Sequence, residues 1–383
     1  GGGTLRWRPF QLGFMLSILE SVVNPASPDR TVCDLLWVPT GGGKTEAYLA
    51  MAAFTMAYRR RRAMRGNGGG HSGAGTAVIS RYTLRLLTLQ QYRRALAMVT
   101  ACEFLRVQGI ERGQAGWRPE GCTDTSNFIW GTARFSIGLW VGGGLTPNRL
   151  NDLRGQPGAI SILRGQSGQG EPAQVLNCPA CDALLALPRG GLPAGNHRVH
   201  LVLKQSKNQV DRHLSHIRGM REASSLTCAS TALPSNHTVL TLDFTLTRSL
   251  FRAAFDAWWK EGPGQTLTLC SLSAARPGYF ARTRRNNRPS GQEIPVDFEI
   301  WCPSPDCPLG QTPWCESALA DDSFFQASTG TARSGLNGGY QHTRIGTVEV
   351  RLPHPQAGRL RRVIPPWQVQ GSSLAASRTP IPA

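Results

Sequence analysis

The fold is decided by the stretch Pro39-Thr40-Gly41-Gly42-Gly43-Lys44-Thr45. Just before it, residues 34–38 read Asp-Leu-Leu-Trp-Val; the four apolar residues after the aspartate predict a short buried strand. Residues 45–54 are rich in alanine and predict a helix. Three consecutive glycines let a loop turn its backbone N–H groups toward a phosphate, and the positive N-terminus of the following helix attracts the same anion. The stretch therefore predicts a loop that cradles the phosphates of a nucleotide.

The side chains of this loop predict its cofactors, ATP and Mg²⁺. We expect Lys44 to contact the β- and γ-phosphates and Thr45 to hold magnesium through its hydroxyl, so both are catalytic candidates. Val38 stands where the general phosphate-loop pattern has its first glycine, and the stretch instead resembles motif I of superfamily 2 helicases. The alternative is a glycine-rich turn that binds nothing. The predicted nucleotide contacts of the loop are Thr40, Gly41, Gly42, Gly43, Lys44 and Thr45.

A glutamine upstream of the loop is the candidate for reading the base. Gln11 follows Trp7-Arg8-Pro9-Phe10 and begins an amphipathic stretch, which is where helicases commonly place an adenine-reading glutamine. An amide can donate to one edge atom of adenine and accept from its amino group. We expect Gln11 to bind adenine, with Phe10 or Arg8 lining the base. The alternative is an ordinary glutamine at a helix start.

Downstream of the loop, a second strand and helix predict contacts to nucleic acid. Residues 76–80, Thr-Ala-Val-Ile-Ser, predict a buried strand, and a long helix begins near Arg81 and runs to about Leu105. This pair resembles helicase motif Ia, in which residues after the strand contact the sugar-phosphate backbone of one strand. The predicted contacts are Arg81, Thr83 and Arg85, and the alternative is a solvated helix face.

Residues 135–141 predict a third strand. Three strands separated by helices favour a parallel α/β sheet of the RecA-like type. We therefore expect an incomplete RecA-like ATP-binding domain over residues 1–160.

Two short-spaced cysteine pairs predict a structural zinc ion. They are Cys178 with Cys181 and Cys302 with Cys307, and each pair begins with Cys-Pro. Such turns suit a tetrahedral site of four thiolates, of the zinc-ribbon type, over residues 170–310. Cys315 is a rival fourth ligand, and ordinary buried cysteines are the alternative. A closed site of this kind predicts scaffolding, or support for a basic surface that meets DNA.

Composition narrows the class of protein. The 383 residues carry 42 lysines and arginines against 24 acidic residues, a net charge of +18, which is compatible with nucleic acid as a partner but also with a GC-rich gene. No run of eighteen apolar residues predicts a membrane span, and no secretory signal is visible. We expect a cytoplasmic protein, a piece of a longer one, without disulfides.

One element of an ATPase is missing from the sequence. A superfamily 2 enzyme needs an acidic Asp-Glu-x-His motif at a strand end, and the nearest imitation, residues 238–243, ends in Asp243 followed by Phe244. After about Gln311, serine, glycine, proline and arginine dominate and periodicity is lost. Residues 311–383 therefore predict an irregular basic tail or a segment read out of frame.

The motifs together resemble the N-terminal portion of the DrmA helicases of the DISARM anti-phage system. The resemblance covers roughly residues 5–180 and includes the Arg-Pro-Phe-Gln entry, the glycine loop, the Ser-Arg-Tyr-Thr-Leu-Arg segment and the first cysteine pair. It implies an ATP-driven DNA helicase or translocase of bacterial phage defence, acting with other defence components. Members of that family are much longer and carry an Asp-Glu-Leu-His motif after the zinc region.

Two hypotheses remain, and they differ in catalysis. The first is a fragment of an ATP-dependent DNA helicase. The second is a non-hydrolysing, zinc-stapled nucleic-acid-binding protein that retains a nucleotide pocket. A small-molecule phosphotransferase would not need the segment that resembles motif Ia.

Overall fold

The computed structural model contains two units, unit 1 (Gly1–Phe135) and unit 2 (Ser136–Ala383). The structure describes residues 6–39, 41–66, 73, 75–82, 85–108, 116–126, 128–131, 135–141, 144–147, 149–214, 217, 219–233, 236–285, 293–300, 302–307, 325–333 and 342–350.

Unit 1 is built from three helices, α1 (Pro9–Val23), α2 (Lys44–Met64) and α3 (Arg85–Val107), with a 3₁₀ turn at Pro28–Thr31. α1 carries proline at its first position, where a missing N–H costs nothing. α2 begins directly after the glycine loop, as the sequence predicts.

Side-chain contacts join the helices of unit 1 in pairs. Phe14 on α1 and Tyr48 on α2 meet edge to face, with ring centroids 5.8 Å apart. Glu46 on α2 forms an ion pair with Arg94 on α3. The glycine loop therefore leads into a helix that is held on two sides.

The predicted parallel sheet is not what the structure contains. Residues 34–38 and 76–80 lie in no helix or strand, and the strand that does form near residue 135, β1 (Ser136–Trp140), belongs to unit 2 and pairs antiparallel. The mixed α/β class is confirmed, but both described sheets are antiparallel. An apolar run forms a strand only beside a hydrogen-bonding neighbour, and the described residues of unit 1 supply none.

Unit 2 contains a six-stranded sheet in the order β1-β9-β8-β7-β6-β5 and a three-stranded sheet in the order β2-β4-β3. The further strands are β2 (Gly195–Leu203), β3 (Ala223–Leu233), β4 (His237–Leu246), β5 (Ser271–Ser273), β6 (Arg276–Arg285), β7 (Glu293–Ile300), β8 (Phe325–Arg333) and β9 (His342–Val350). The helices are α4 (Ala159–Leu163), α5 (Lys207–Leu214) and α6 (Arg252–Glu261), with a 3₁₀ turn at Pro263–Gln265.

The main core of unit 2 lies against the three-stranded sheet. Alternate residues of the strands, such as Val199, Leu201 and Leu242, are buried together with Phe255 and Trp259, which lie one turn apart on α6. Each such side chain contributes roughly 1.5–3 kcal/mol of hydrophobic free energy. This core occupies the sequence between the two cysteine pairs.

β8 and β9 lie within residues 311–383, for which composition predicts an irregular tail. They form an antiparallel pair, from Arg333 opposite His342 to Phe325 opposite Val350. Threonine, isoleucine and valine are frequent in β9, and these β-branched residues favour a pleated strand despite the basic composition. The rest of that tail lies outside the described residues.

Candidate functional site

The glycine loop is shaped by left-handed backbone and close approaches. Gly41 and Gly43 have φ of 80° and 95°, and the Gly42 N–H donates to the Pro39 carbonyl at 3.1 Å. A Cβ on Gly42 would lie 2.9 Å from that carbonyl oxygen, and one on Gly43 would lie 2.8 Å from Nε2 of Gln11. The conformation therefore requires glycine at these positions, since a side chain would be strained or collide.

Lys44 and Thr45 form the first turn of the 21-residue helix α2, and both are half-buried. The Lys44 ammonium folds back on the loop and donates to the Val38 carbonyl at 2.5 Å and the Pro39 carbonyl at 3.4 Å. The unpaired N–H groups and the dipole at a helix N-terminus favour an anion there. The loop thus places an ammonium and a hydroxyl beside a positive helix end.

Gln11 contacts the loop, although it lies 32 positions before Gly43 in the sequence. Its side chain is 4% exposed; Nε2 donates to the Gly43 carbonyl at 2.8 Å, and Oε1 accepts from the Arg8 N–H at 2.8 Å. The Arg8 guanidinium donates to the Gly42 carbonyl at 2.9 Å. An amide offers two donors and two lone pairs, and Gln11 uses one of each to brace the loop.

The described residues do not form a site from the predicted nucleic-acid contacts, and one predicted nucleotide contact is not described. Thr40 and Thr83 lie outside the described residues, as does the side chain of Arg85. Arg81 is exposed just before α3. The nucleic-acid contacts therefore stay a prediction.

A buried charge cluster in unit 1 was not expected from the sequence. Arg106 donates to both oxygens of Glu103 at 2.7 Å and to the Gly131 carbonyl at 3.1 Å, and the Phe135 N–H donates to Glu103 at 3.0 Å. Both charged side chains are almost fully buried. Burial, and then the nearby Arg106, lower the pKa of Arg60 to about 10. The i,i+3 spacing of opposite charges on a helix was the available signal.

The four predicted cysteine ligands converge in unit 2. All four Sγ atoms, those of Cys178, Cys181, Cys302 and Cys307, lie within 4.8 Å of one another. Cys178 and Cys307 are 4.0 Å apart, and Cys181 and Cys302 are 3.4 Å apart. A tetrahedral zinc with Zn–S bonds of about 2.3 Å holds its sulfurs about 3.8 Å apart. The four sulfurs therefore suit such an ion, and the rival ligand Cys315 lies outside the described residues.

Backbone hydrogen bonds and one buried tyrosine position the two cysteine turns. The Cys178 N–H donates to the Ala183 carbonyl and the Asp182 N–H to the Cys178 carbonyl, each at 2.8 Å, which closes the first turn. The second turn follows β7. The hydroxyl of Tyr279 on β6 donates to the Val175 carbonyl at 2.8 Å and accepts from its N–H at 3.1 Å. The strands thus join cysteines that lie more than one hundred positions apart.

The thiols also interact electrostatically. Hydrogen bonds from Cys178, Cys302 and Cys307 lower the pKa of Cys181, while the bond with Cys178 and burial raise the pKa of Cys302. Thiolate sulfurs are soft donors, and four of them form a donor set that suits a metal such as zinc. With four ligands the site is closed, which suits a structural role.

Comparison with known proteins identifies one similar protein. The chain is 41% identical over 180 residues to the DISARM protein DrmA of Bacillus paralicheniformis, so it is DrmA-like over 46% of its own length. That stretch is 14% of the Bacillus protein, and the chain therefore matches only a small part of its relative. No protein-family model matches the chain. No solved structure matches it either.

Among the helices in the described residues, none is long and apolar enough to cross a membrane.

Proposed function

We propose that this chain carries the ATP-binding part of an ATP-dependent DNA helicase or translocase of bacterial phage defence. The observation that carries this proposal is the loop at residues 39–45: its left-handed glycines lead into α2, and Lys44 and Thr45 form the first turn. Similarity to a DISARM protein supports the defence role. The sequence of the loop and its neighbours supports a RecA-like core completed by further chain.

Each loop residue has a proposed role. Lys44 gives up its hydrogen bond to the Val38 carbonyl and binds the β- and γ-phosphates instead. Thr45 holds Mg²⁺. Thr40, Gly41, Gly42 and Gly43 surround the phosphates with backbone N–H groups. The free donor and acceptor of Gln11 read adenine. We assign Arg81, Thr83 and Arg85 to the DNA backbone.

The four cysteines hold a structural Zn²⁺ in this proposal. Once bound, such an ion cross-links its ligands and contributes free energy of folding. Its effect here is to fix the turn after residue 177 against the end of β7.

Nucleotide binding and DNA-stimulated ATP hydrolysis test the proposal. We expect Lys44→Ala to weaken ATP binding by about tenfold or more, because a charge-assisted contact to phosphate is lost. Lys260→Ala, which removes an exposed lysine on α6, is the matched control and leaves binding unchanged. If the Lys260→Ala protein fails to bind ATP just as the Lys44→Ala protein does, the proposal is wrong.

A second candidate is a zinc-stapled nucleic-acid-binding protein that binds nucleotide without turnover. The closed cluster of four cysteines favours it, since that site offers no open position for catalysis. ATP binding that depends on Lys44, with no hydrolysis at any DNA concentration, would select this candidate.

A further inference from the structure

Glu46 places a carboxylate beside the glycine loop. It is the third residue of α2, and its Oε2 atom would lie 3.5 Å from a Cβ built on Gly43. Side chains on a helix lean toward its N-terminus, which explains why this carboxylate reaches back to the loop. A negative charge at that end offsets the positive potential that attracts phosphate. Glu46 therefore works against the anion that we propose for the loop.

Arg94 neutralises that carboxylate. Its guanidinium reaches across from α3 and donates to Oε1 of Glu46, which is its one hydrogen-bonding partner among the described residues. The two side chains are 44% and 37% exposed, so solvent screens the pair and its strength is modest. Arg94 thus holds one oxygen of a carboxylate whose other oxygen lies on the side of the loop.

Aromatic side chains mark where Arg94 lies. Burial, and then Tyr48, raise the pKa of Tyr82, whereas Arg94 lowers it, which places Tyr48 and Arg94 close to Tyr82. Tyr48 is held in turn by the ring of Phe14 on α1, whose centroid is 5.8 Å away. Arg94 therefore lies where α2 meets the segment that leads into α3.

We propose that Arg94 is a positioning residue of the nucleotide site: it holds and neutralises Glu46, so that this carboxylate does not repel the phosphates of ATP. The inference rests on the proposed function and makes ATP affinity depend on a charge carried by α3. The other role open to the pair is a plain brace between two helices. The two roles predict opposite results when Glu46 is changed.

Titrations of the full chain with a fluorescent ATP analogue separate the two roles. Arg94→Gln should weaken binding by about fivefold, the most that an exposed ion pair contributes, because it leaves the Glu46 charge beside the phosphates. Glu46→Gln should tighten binding by about twofold to threefold, because it leaves the Arg94 charge there instead. The protein with both substitutions should bind within about twofold of the unaltered chain. A brace predicts weaker binding in all three proteins.

A matched control and a salt series complete the experiment. Arg65→Gln removes the same charge just past the far end of the 21-residue helix α2, about 30 Å away, and should leave ATP binding unchanged. In roughly 0.5 M salt, where charges are screened over about 4 Å, the deficit of Arg94→Gln should largely vanish. Thermal unfolding checks that each protein is folded. A deficit that persists at high salt, or that the double substitution does not relieve, would overturn the inference.

ATP binding by the unaltered chain separates this inference from the proposed function. If the chain binds ATP through Lys44 and Arg94→Gln binds it equally well, the role of Arg94 is wrong and the nucleotide site stands. If the unaltered chain does not bind ATP, the proposed function is wrong and the role of Arg94 falls with it.

Discussion

The glycine loop and the cysteine cluster are built in opposite ways. The loop is one continuous stretch, residues 39–45, whose shape comes from two left-handed glycines and the start of α2. The cluster joins two turns that lie more than one hundred positions apart and are positioned by β6, β7 and Tyr279. One site is local in sequence, and the other depends on the fold of a whole unit.

The two sites also differ in how complete they are. The cluster supplies all four ligands that a structural zinc needs, within 4.8 Å. The loop places Lys44 and Thr45 in the first turn of α2, and the segment just before it exposes Leu35 and Trp37 to solvent. The cysteine site is therefore closed, whereas the nucleotide site that we propose at the loop also needs an acid that the loop itself does not supply.

Removing one cysteine ligand should have the largest effect. We expect Cys302→Ser to release the metal and lower the stability of unit 2 by several kcal/mol, because metal binding to thiolates is coupled to folding. Zinc content by atomic absorption and thermal unfolding measure both. Cys33→Ser, which changes an exposed cysteine of unit 1, is the control and should leave both unchanged. A Cys302→Ser protein with full zinc and stability would show that the cluster is not a metal site.

Breaking the buried ion pair between Glu103 and Arg106 on α3 should have the second-largest effect on stability. Glu103→Gln leaves Arg106 charged and buried without its partner, which costs about 3–5 kcal/mol in comparable sites. Chemical denaturation of unit 1 measures the loss. Glu120→Gln, on the exposed side of the same unit, should change stability by less than about 0.5 kcal/mol. Equal effects of the two substitutions would contradict the burial of the pair.

A substitution in the loop should have the smallest effect on stability. Gly43→Ala places a Cβ against Gln11 at a left-handed position and should cost about 1–2 kcal/mol, with weaker ATP binding. Gly13→Ala, inside α1 with open space around it, should instead stabilise by about 0.5–1 kcal/mol. Calorimetric unfolding and ATP titration of both proteins sharpen the contrast between a required and a replaceable glycine. A neutral Gly43→Ala would mean that the loop adopts another shape.

Features that depend on a local stretch of sequence were easier to predict than features that depend on the fold of a whole unit. The helix start at Lys44 was predictable because glycines and helix formers are local signals, and the convergence of the four cysteines because Cys-Pro turns have few other uses. The bracing of the loop by Gln11 was only half anticipated: the sequence placed it near the base, and the structure bonds it to Gly43.

The sheets could not be predicted in this way. Residues 34–38 have the composition of a buried parallel strand, yet pairing depends on a neighbour that an apolar run does not specify. The strands β8 and β9 were missed because glycine and arginine mask the alternation of their β-branched residues. The buried partner of Arg106 was missed since charged residues on a helix usually face solvent.

The most direct test of the central claim is to find where ATP binds. Hydrogen–deuterium exchange of the full chain, with and without Mg-ATP, should show slower exchange at residues 41–46 and at Gln11, with no change around the four cysteines. Lys44→Ala should abolish that protection. Protection confined to unit 2, or none at saturating ATP, would contradict the assignment of residues 39–45 as the nucleotide-binding loop.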